Sequence, residues 1–318
     1  MTMDHDQPSG NEESTATVLV AGAANLGIAV AKAAGGLISG SSAMLAEAAH
    51  SCADTVTEVL LLTALKRSEK PADSKHPLGY GRERYIWAMF ASVATFVGGA
   101  VFSVTDGVHT LVQGETLGDP LVSYIVLAVA FLLEGSSLLK GVRQARGQAD
   151  RHDVEVMTFL KRTPDTTVKA VVMEDAAALV GLVLAAGGLL GGQLTGSGVW
   201  DGIASLCIGV LLAWVAFVLG RANATLLIGR SIPDALEREV EQILLDLPDV
   251  EAVLDLVTVM EGPDDVLVAA KVDFRDEATA VEVEQACEDA ERALRARFPA
   301  VGRVFLDPTP SPRPPGAN

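Results

Sequence analysis

Long runs of apolar residues occupy roughly the first two thirds of the chain and stop near Gly220. A membrane-spanning helix needs about 20 mostly apolar residues, and the strands of a soluble core are much shorter. The pattern therefore predicts an α-helical membrane domain over residues 17–230, with six spans numbered here in chain order. The predicted spans are Thr17–Ile38, Ala43–Leu65, Tyr85–Leu111, Pro120–Leu139, Val168–Leu190 and Val199–Leu219.

The pattern changes after residue 230, where shorter amphipathic stretches replace the long apolar runs. Their periodicity and their flanking turn residues predict helices and strands in the order α-β-β-α-β. This order is typical of a small α+β domain with its helices on one face of a sheet, here over residues 231–308. The predicted elements are helices at 233–246 and 280–297, and strands at 253–260, 266–274 and 303–306.

The two ends of the chain have a different composition from the predicted domains. Residues 1–16 are rich in acidic residues and residues 309–318 are rich in proline. We expect an acidic, disordered leader in the first case and a disordered tail in the second.

Lys and Arg residues alternate between the predicted loops. The loops after spans 2 and 4 are rich in basic residues, whereas the loops after spans 1, 3 and 5 contain none. Because basic loops remain in the cytoplasm, we expect a multi-pass protein of the inner or plasma membrane with both termini cytoplasmic. The formal net charge of −17 argues against a nucleic-acid partner.

Span 2 carries four titratable residues at spacings of three or four: Glu47, His50, Asp54 and Glu58. This spacing places them on one face of a helix. Ionisable groups at membrane depth face the interior of a bundle or a water-filled cavity, because contact with lipid is costly. Imidazole nitrogens and carboxylate oxygens bind divalent metals. The stripe therefore indicates work on metal ions or protons, and the alternative is a static polar network between packed helices.

Span 5 carries a second acidic pair, Glu174 and Asp175. We expect His50, Asp54 and Asp175 to share one cation. Glu174 is rotated by about 100° from Asp175 and would reach that cation from the edge. Metal ligands must lose their protons before they bind, so the same groups can hold either metal or protons. That competition is a physical basis for exchanging one for the other.

Two further residues of the spans, together with Glu47 and Glu58, are candidates for supporting roles. Lys32 is the only basic residue deep in a predicted span, and we expect it to pair with Glu47 or Glu58. Asn25 in span 1 is an interhelical hydrogen-bond donor or an extra contact to the site. Glu134 is a titratable residue in span 4 without an assigned role.

The loop after span 2 contains a second candidate site. Asp73 and His76 are three residues apart and could bind a second metal ion. The sequence His76-Pro-Leu-Gly-Tyr-Gly is equally typical of a rigid turn that leads into span 3, and the chemistry favours the turn.

The combination of these features resembles the cation diffusion facilitator family. The resemblance extends from about Thr17 to Pro308 and is carried by the six spans, His50-x-x-x-Asp54, the stretch His76-Pro-Leu-Gly-Tyr-Gly-Arg-Glu-Arg-Tyr85, the acidic pair in span 5 and the α-β-β-α-β domain. It implies a homodimeric divalent-metal transporter, commonly for zinc, that works as a proton antiporter. It also implies that the cytoplasmic domain has a metallochaperone-like fold.

The resemblance also implies a transport site with two residues from span 2 and two from span 5. The span 2 positions fall on His50 and Asp54, and the later span 5 position falls on Asp175. The earlier span 5 position falls on Val171, which cannot bind metal. Glu174 is the candidate substitute, because the Glu-Asp pair is similar to that of a divergent branch of the family.

The sequence therefore predicts a secondary active transporter, not an enzyme, since no Ser or Cys is placed as a nucleophile. We expect it to export Zn²⁺ in exchange for H⁺, without a permanently bound cofactor. Its partners would be divalent metal ions, protons, the lipid bilayer and a second copy of the chain. One alternative is transport of Fe²⁺, Mn²⁺ or Co²⁺, because a site with one His and several carboxylates is rich in oxygen. Another is a membrane scaffold that transports nothing.

Overall fold

The computed structural model describes residues 10–113, 120–151, 155–163 and 166–311. The described residues form two compact units. The first unit contains residues up to Arg67 and residues Glu83–Ala224, and it is helical. The second unit contains the loop Ser68–Arg82 and the residues from Thr225 onward, and it combines helices with a sheet.

Six long helical segments make up the membrane domain and contain the six predicted spans. The helices are α1 (Gly10–Ser39), α2 (Ser42–Ser68), α3 (Glu83–Ala94), α4 (Phe102–Gln113), α5 (Leu121–Arg151), a short α6 (Val156–Arg162), α7 (Thr166–Thr195) and α8 (Val199–Ile228). A π-helical segment, Thr95–Val101, joins α3 and α4 into one continuous helix. Within the bundle, α5 packs against both α1 and α7.

Within the described part of the chain, four helical segments are by themselves long and apolar enough to cross a membrane, namely Glu83–Gln113, Leu121–Asp150, Thr166–Thr195 and Val199–Ile228. The apolar stretch Asn25–Ser39 of α1 is shorter. Helix α2 has sufficient length, but its titratable stripe lowers its mean hydropathy. Two of the candidate metal ligands, His50 and Asp54, lie on this helix, and the other two, Glu174 and Asp175, lie on the apolar helix α7.

Large apolar side chains cover the outside of the helical unit. Leu132, Val210 and Phe217 are 72%, 66% and 65% exposed. Alanines are frequent in the interior, where Ala43 and Ala185 are completely buried, beside larger side chains such as Leu189. Small side chains allow membrane helices to approach closely, while lipid tails solvate the apolar exterior. This distribution fits a bilayer rather than water.

The expected disordered leader is only partly within the described residues, because residues 1–9 lie outside them. Helix α1 begins at Gly10 and thus starts within the predicted leader, whose disorder stays a prediction. Once a helix has formed, each added residue contributes a further hydrogen bond, and the helix of the first span extends into the leader. Residues 312–318 of the expected tail lie outside the described part of the chain.

The second unit has the predicted order α-β-β-α-β. Its elements are α9 (Asp234–Leu245), β1 (Val250–Gly262), β2 (Asp265–Phe274), α10 (Ala280–Arg297) and β3 (Val301–Pro308). Strand β2 is central, antiparallel to β1 and parallel to β3. Alternate residues of β2, from Val266 to Val272, are buried, as expected when one face of a sheet is covered.

The loop Ser68–Arg82 belongs to the second unit, although the sequence assigns it to the membrane domain. The reason is a set of contacts with the end of β1. The carboxylate of Glu261 lies 3.2 Å from Arg303 and 3.9 Å from Arg82. Arg303 also donates a 2.8 Å hydrogen bond to the carbonyl of Pro77. A Cβ at Gly81 would lie 2.5 Å from the carbonyl oxygen of Glu261, so only glycine allows this approach.

Candidate functional site

A cavity of about 380 Å³ lies within the helical unit, between α1, α2, α5 and α7. Its wall carries acidic residues from three helices. The titratable residues on the wall are Asp54, Glu58, Glu134, Lys140, Glu174 and Asp175. Five of these six carry a carboxylate, so the cavity is suited to positively charged guests.

His50 and Asp54 lie one helical turn apart on α2. The Nδ1 atom of His50 lies 3.3 Å from Oδ1 of Asp54. This contact is too oblique to be a hydrogen bond, and neither ring nitrogen has a hydrogen-bond partner among the described residues. His50 is 1% exposed and does not line the cavity, whereas Asp54 does. The pair thus offers unshared donor atoms at the edge of the cavity.

Glu174 and Asp175 of α7 both reach the cavity wall. Oε1 of Glu174 accepts a 3.3 Å hydrogen bond from the hydroxyl of Thr95, in the π-helical segment. The carboxylate of Asp175 is within hydrogen-bonding reach of Ser137, and its Oδ2 has no hydrogen-bond partner among the described residues. The expected rotation between the two side chains does not keep Glu174 away from the cavity. Short π-helical segments often occur at functional sites. Here the π-helical segment contributes Thr95, whose hydrogen bond holds the carboxylate of Glu174.

Val171 also lines the cavity, one turn before Asp175. Its side chain offers no metal ligand. The wall therefore has an apolar surface at the position where the family resemblance implies a fourth ligand.

Lys32 of α1 is completely buried and pairs with carboxylates from two helices. Its Nζ lies 3.0 Å from Oε2 of Glu47 and 2.7 Å from Oε1 of Glu134. It also donates a 2.9 Å hydrogen bond to the hydroxyl of Ser51. Of the two partners expected from the sequence, Lys32 thus contacts Glu47. Glu134 is a second partner that sequence reasoning did not assign.

Glu58 pairs with Asn25 instead of Lys32. The side-chain amide of Asn25 donates a 2.8 Å hydrogen bond to Oε1 of Glu58, and both residues line the cavity. Oε2 of Glu58 is buried without a hydrogen-bond partner among the described residues. The predicted interhelical role of Asn25 is therefore seen, between α1 and α2.

The loop site consists of a turn that uses the carboxylate of Asp73. Its Oδ1 accepts hydrogen bonds from the backbone N–H groups of Lys75 (2.8 Å) and His76 (2.7 Å). Its Oδ2 accepts a 2.8 Å hydrogen bond from the hydroxyl of Tyr80. The hydrogen bonds from Tyr80 and His76 hold the pKa of Asp73 below its ordinary value. These contacts describe the turn, and binding of a second metal ion by Asp73 and His76 stays a prediction.

The conformation described here does not assemble a complete metal site. Among the described residues, no three His, Cys, Asp or Glu side chains are arranged to hold one ion. Asp54, Glu174 and Asp175 share one cavity, while His50 lies behind its wall. The four-residue ligand set of His50, Asp54, Glu174 and Asp175 stays a prediction.

Sequence reasoning gave Glu134 no role, although it lines the same cavity as Asp54. A signal was present in the sequence. The only basic residue deep in a span requires carboxylate partners, and Glu134 is the acidic residue of span 4. The hydrogen bond from Thr95 to Glu174 could not be predicted from the sequence, because a π-helical segment has no distinctive sequence pattern.

Comparison with known proteins agrees with both units. Residues 18–228 match the cation efflux transmembrane domain, and residues 232–310 match the cytoplasmic domain of cation efflux proteins. The first match covers most of the chain and ends next to the predicted domain boundary near residue 230.

Individual relatives have related names. Metal tolerance protein C4 of Arabidopsis thaliana is 32% identical over 236 residues, which are 74% of this chain and 52% of the relative. The human "Proton-coupled zinc antiporter SLC30A9, mitochondrial" is 31% identical over 238 residues, which are 75% of this chain and 42% of the relative. The chain thus spans about half the length of these two proteins.

A bacterial relative is similar along most of its length. The "Cation-efflux pump FieF" of Cronobacter sakazakii is 29% identical over 265 residues, which are 82% of this chain and 81% of the relative. The domain matches, the helical bundle and the α+β domain agree with one another. The chain belongs to the cation diffusion facilitator family of cation efflux transporters, which are not enzymes.

Proposed function

We propose that the protein exports a divalent metal ion, Zn²⁺, from the cytoplasm in exchange for protons. The single observation that carries this proposal is the cavity on whose wall Asp54 of α2 meets Glu174 and Asp175 of α7. Three carboxylates in one buried cavity repel each other unless a cation or protons neutralise them. A divalent cation is the cargo that such a cavity favours.

The proposed site contains His50, Asp54 and Asp175, with Glu174 as the further ligand. His50 would turn towards the cavity as the ion enters, because its two ring nitrogens have no hydrogen bond to a described residue that would have to be broken. Zinc commonly binds one or more imidazoles together with carboxylates in tetrahedral geometry. The site thus combines ligand types that zinc accepts.

Proton exchange follows from the chemistry of the same ligands. A carboxylate or imidazole binds metal only after it has lost its proton, so metal and protons compete for the site. In the proposed cycle, metal enters the cavity from the cytoplasm. The helices then rearrange so that the cavity opens to the opposite side of the membrane, and protons from that side displace the metal. The zinc and proton coupling in the name of the human relative supports this assignment.

The orientation and the assembly are part of the proposal. The basic loops after spans 2 and 4 favour cytoplasmic termini and a location in the inner or plasma membrane. We propose that the α+β unit pairs with a second copy of itself, since the transporter family implies a dimer. Divalent ions, protons, lipid and the second copy are then the partners of the chain.

Reconstituted liposomes test this proposal. The full chain is placed in vesicles with an internal pH dye, and external Zn²⁺ is added under a proton gradient. We expect zinc uptake coupled to proton movement, and its loss in both Asp54→Ala and Asp175→Ala. Asp276→Ala is the matched control, because Asp276 is an exposed carboxylate of the α+β unit. Unchanged flux in both site variants would remove the proposed site.

A second candidate cargo is Fe²⁺, Mn²⁺ or Co²⁺. The observation that favours it is the excess of carboxylate oxygens over imidazole on and behind the cavity wall. Oxygen ligands suit harder ions than zinc. The same liposomes answer this question when each ion competes with Zn²⁺. A membrane scaffold would move none of these ions.

A further inference from the structure

Glu134 of α5 stands on the wall of the same cavity as Asp54, Glu174 and Asp175. Its side chain is nine-tenths buried. Oε1 accepts a hydrogen bond of 2.7 Å from Nζ of Lys32. Oε2 is buried and has no hydrogen-bond partner among the described residues. Glu134 thus presents one fixed oxygen and one uncommitted oxygen.

An uncommitted carboxylate oxygen in a buried site is costly unless something binds it. The charge balance around Lys32 does not remove this cost. Lys32 is one ammonium group between two carboxylates, those of Glu47 and Glu134. The three side chains together keep a formal excess of one negative charge, and of the two acids only Glu134 reaches the cavity.

The same cavity lacks a ligand elsewhere. Val171 occupies the wall one turn before Asp175, where it contributes only methyl groups. Zinc takes four ligands in most protein sites. The wall presents three of the four proposed ligands, Asp54, Glu174 and Asp175, while His50 lies behind it, so a further carboxylate oxygen on the wall would complete the set. Glu134 comes from a different helix but supplies the missing type of atom.

We propose that Glu134 is a metal-binding residue of the transport site, in which Oε2 binds the divalent cation together with Asp54, Glu174 and Asp175. Lys32 holds the other oxygen and so fixes the carboxylate at the wall. This inference rests on the proposed function and adds a residue to its site. The cation would then contact α2, α5 and α7, so that three helices respond to its binding.

The experiment measures Zn²⁺ affinity of the purified full chain in detergent, by competition with a zinc-sensitive dye. Glu134→Gln removes the charge but keeps an oxygen that can accept from Lys32. We expect a loss of affinity of about ten-fold, as for other groups around metal sites. Glu47→Gln is the matched variant, because it removes a carboxylate from the same Lys32 outside the cavity wall. Its effect should be several-fold smaller, and equal losses in the two variants would overturn the proposal.

A rescue experiment adds a readout that a merely structural role would not change. Val171→Asp places a carboxylate on the wall and should restore most of the affinity lost in Glu134→Gln. Glu134→Asp keeps the charge but retracts the free oxygen, and it should weaken binding several-fold even if Glu134→Gln does not fold. Unchanged affinity in Glu134→Asp, or the absence of any rescue by Val171→Asp, would contradict the inference.

The outcome separates this inference from the proposed function. If the wild-type chain binds Zn²⁺ and Asp54→Ala weakens binding, but Glu134→Gln does not, then only the role of Glu134 fails. If the wild-type chain binds no Zn²⁺, both fail together.

Discussion

Gly181 of α7 lies directly against the side chain of Glu47 on α2. A Cβ atom at position 181 would collide with Oε1 of Glu47. Both residues are buried. The absence of a side chain at Gly181 therefore leaves room for the buried carboxylate of Glu47, which pairs with Lys32.

This contact predicts that Gly181→Ala destabilises the bundle by about 1–3 kcal/mol, because the added methyl group displaces the buried carboxylate of Glu47 that pairs with Lys32. Gly187 of the same helix is the matched control. A Cβ at Gly187 meets no atom within 4 Å, so Gly187→Ala should be neutral or stabilising by up to about 1 kcal/mol through helix propensity. Thermal unfolding of both purified variants measures the difference. Equal melting temperatures for the two variants would contradict the packing argument.

The buried ammonium of Lys32 provides a second prediction. Lys32→Met leaves the carboxylates of Glu47 and Glu134 without their shared cation, and removing one partner of a buried ion pair typically costs about 3–5 kcal/mol. We expect a large decrease in the melting temperature.

The control for Lys32 is a neutral version of the whole network. Lys32→Met combined with Glu47→Gln and Glu134→Gln removes all three charges at once, and it should recover much of the lost stability. If the combined variant is less stable than Lys32→Met alone, the charge argument fails.

The hydrophobic pattern of the sequence predicts most of the fold. The six apolar runs lie inside long helices, and the α-β-β-α-β order is confirmed because its helices and strands have clear periodicities. Helix α1 starts ahead of the predicted span at Thr17, since nothing in the composition of residues 10–16 marks where that helix begins. The loop Ser68–Arg82 differed because its association depends on Glu261 and Arg303, which are distant in the sequence.

The candidate site could be predicted only in part from the sequence. Helical spacing placed Asp54 and Glu58 on one face of α2, and both line the cavity. Spacing within a helix does not determine which residues of other helices face it. Glu134 and Thr95 therefore entered the site only through the packing of α5 and of the π-helical segment against α7.

The cap of α10 gives a prediction for pH dependence outside the membrane. Glu282 accepts a 2.7 Å hydrogen bond from the backbone N–H of Thr279, and the hydroxyl of Thr279 accepts one from the backbone N–H of Glu282. The hydrogen bond from the backbone N–H of Thr279 holds the pKa of Glu282 below its ordinary value of 4.5. A lowered carboxyl pKa stabilises the folded form above the ordinary value, and this stabilisation is lost as pH falls through the folded pKa.

We therefore expect the amides of the first turn of α10 to lose protection from hydrogen exchange as pH falls from about 6 to about 3, after correction for intrinsic rates. Glu282→Gln retains an oxygen for the cap but does not titrate, so its protection should be independent of pH in this range. Mass spectrometry of the full chain measures both. The same loss of protection in Glu282→Gln would assign the effect to another group.

The central claim is that His50, Asp54 and Asp175 bind one cation together, and X-ray absorption at the zinc edge tests it most directly. The purified full chain with one equivalent of Zn²⁺ should show one imidazole nitrogen and otherwise oxygen ligands, at about 2.0–2.2 Å. The imidazole signal should disappear in His50→Ala and persist in His76→Ala, and Asp54→Asn and Asp175→Asn should each reduce the bound zinc. An imidazole signal that persists in His50→Ala, or full zinc occupancy in both aspartate variants, would contradict the account.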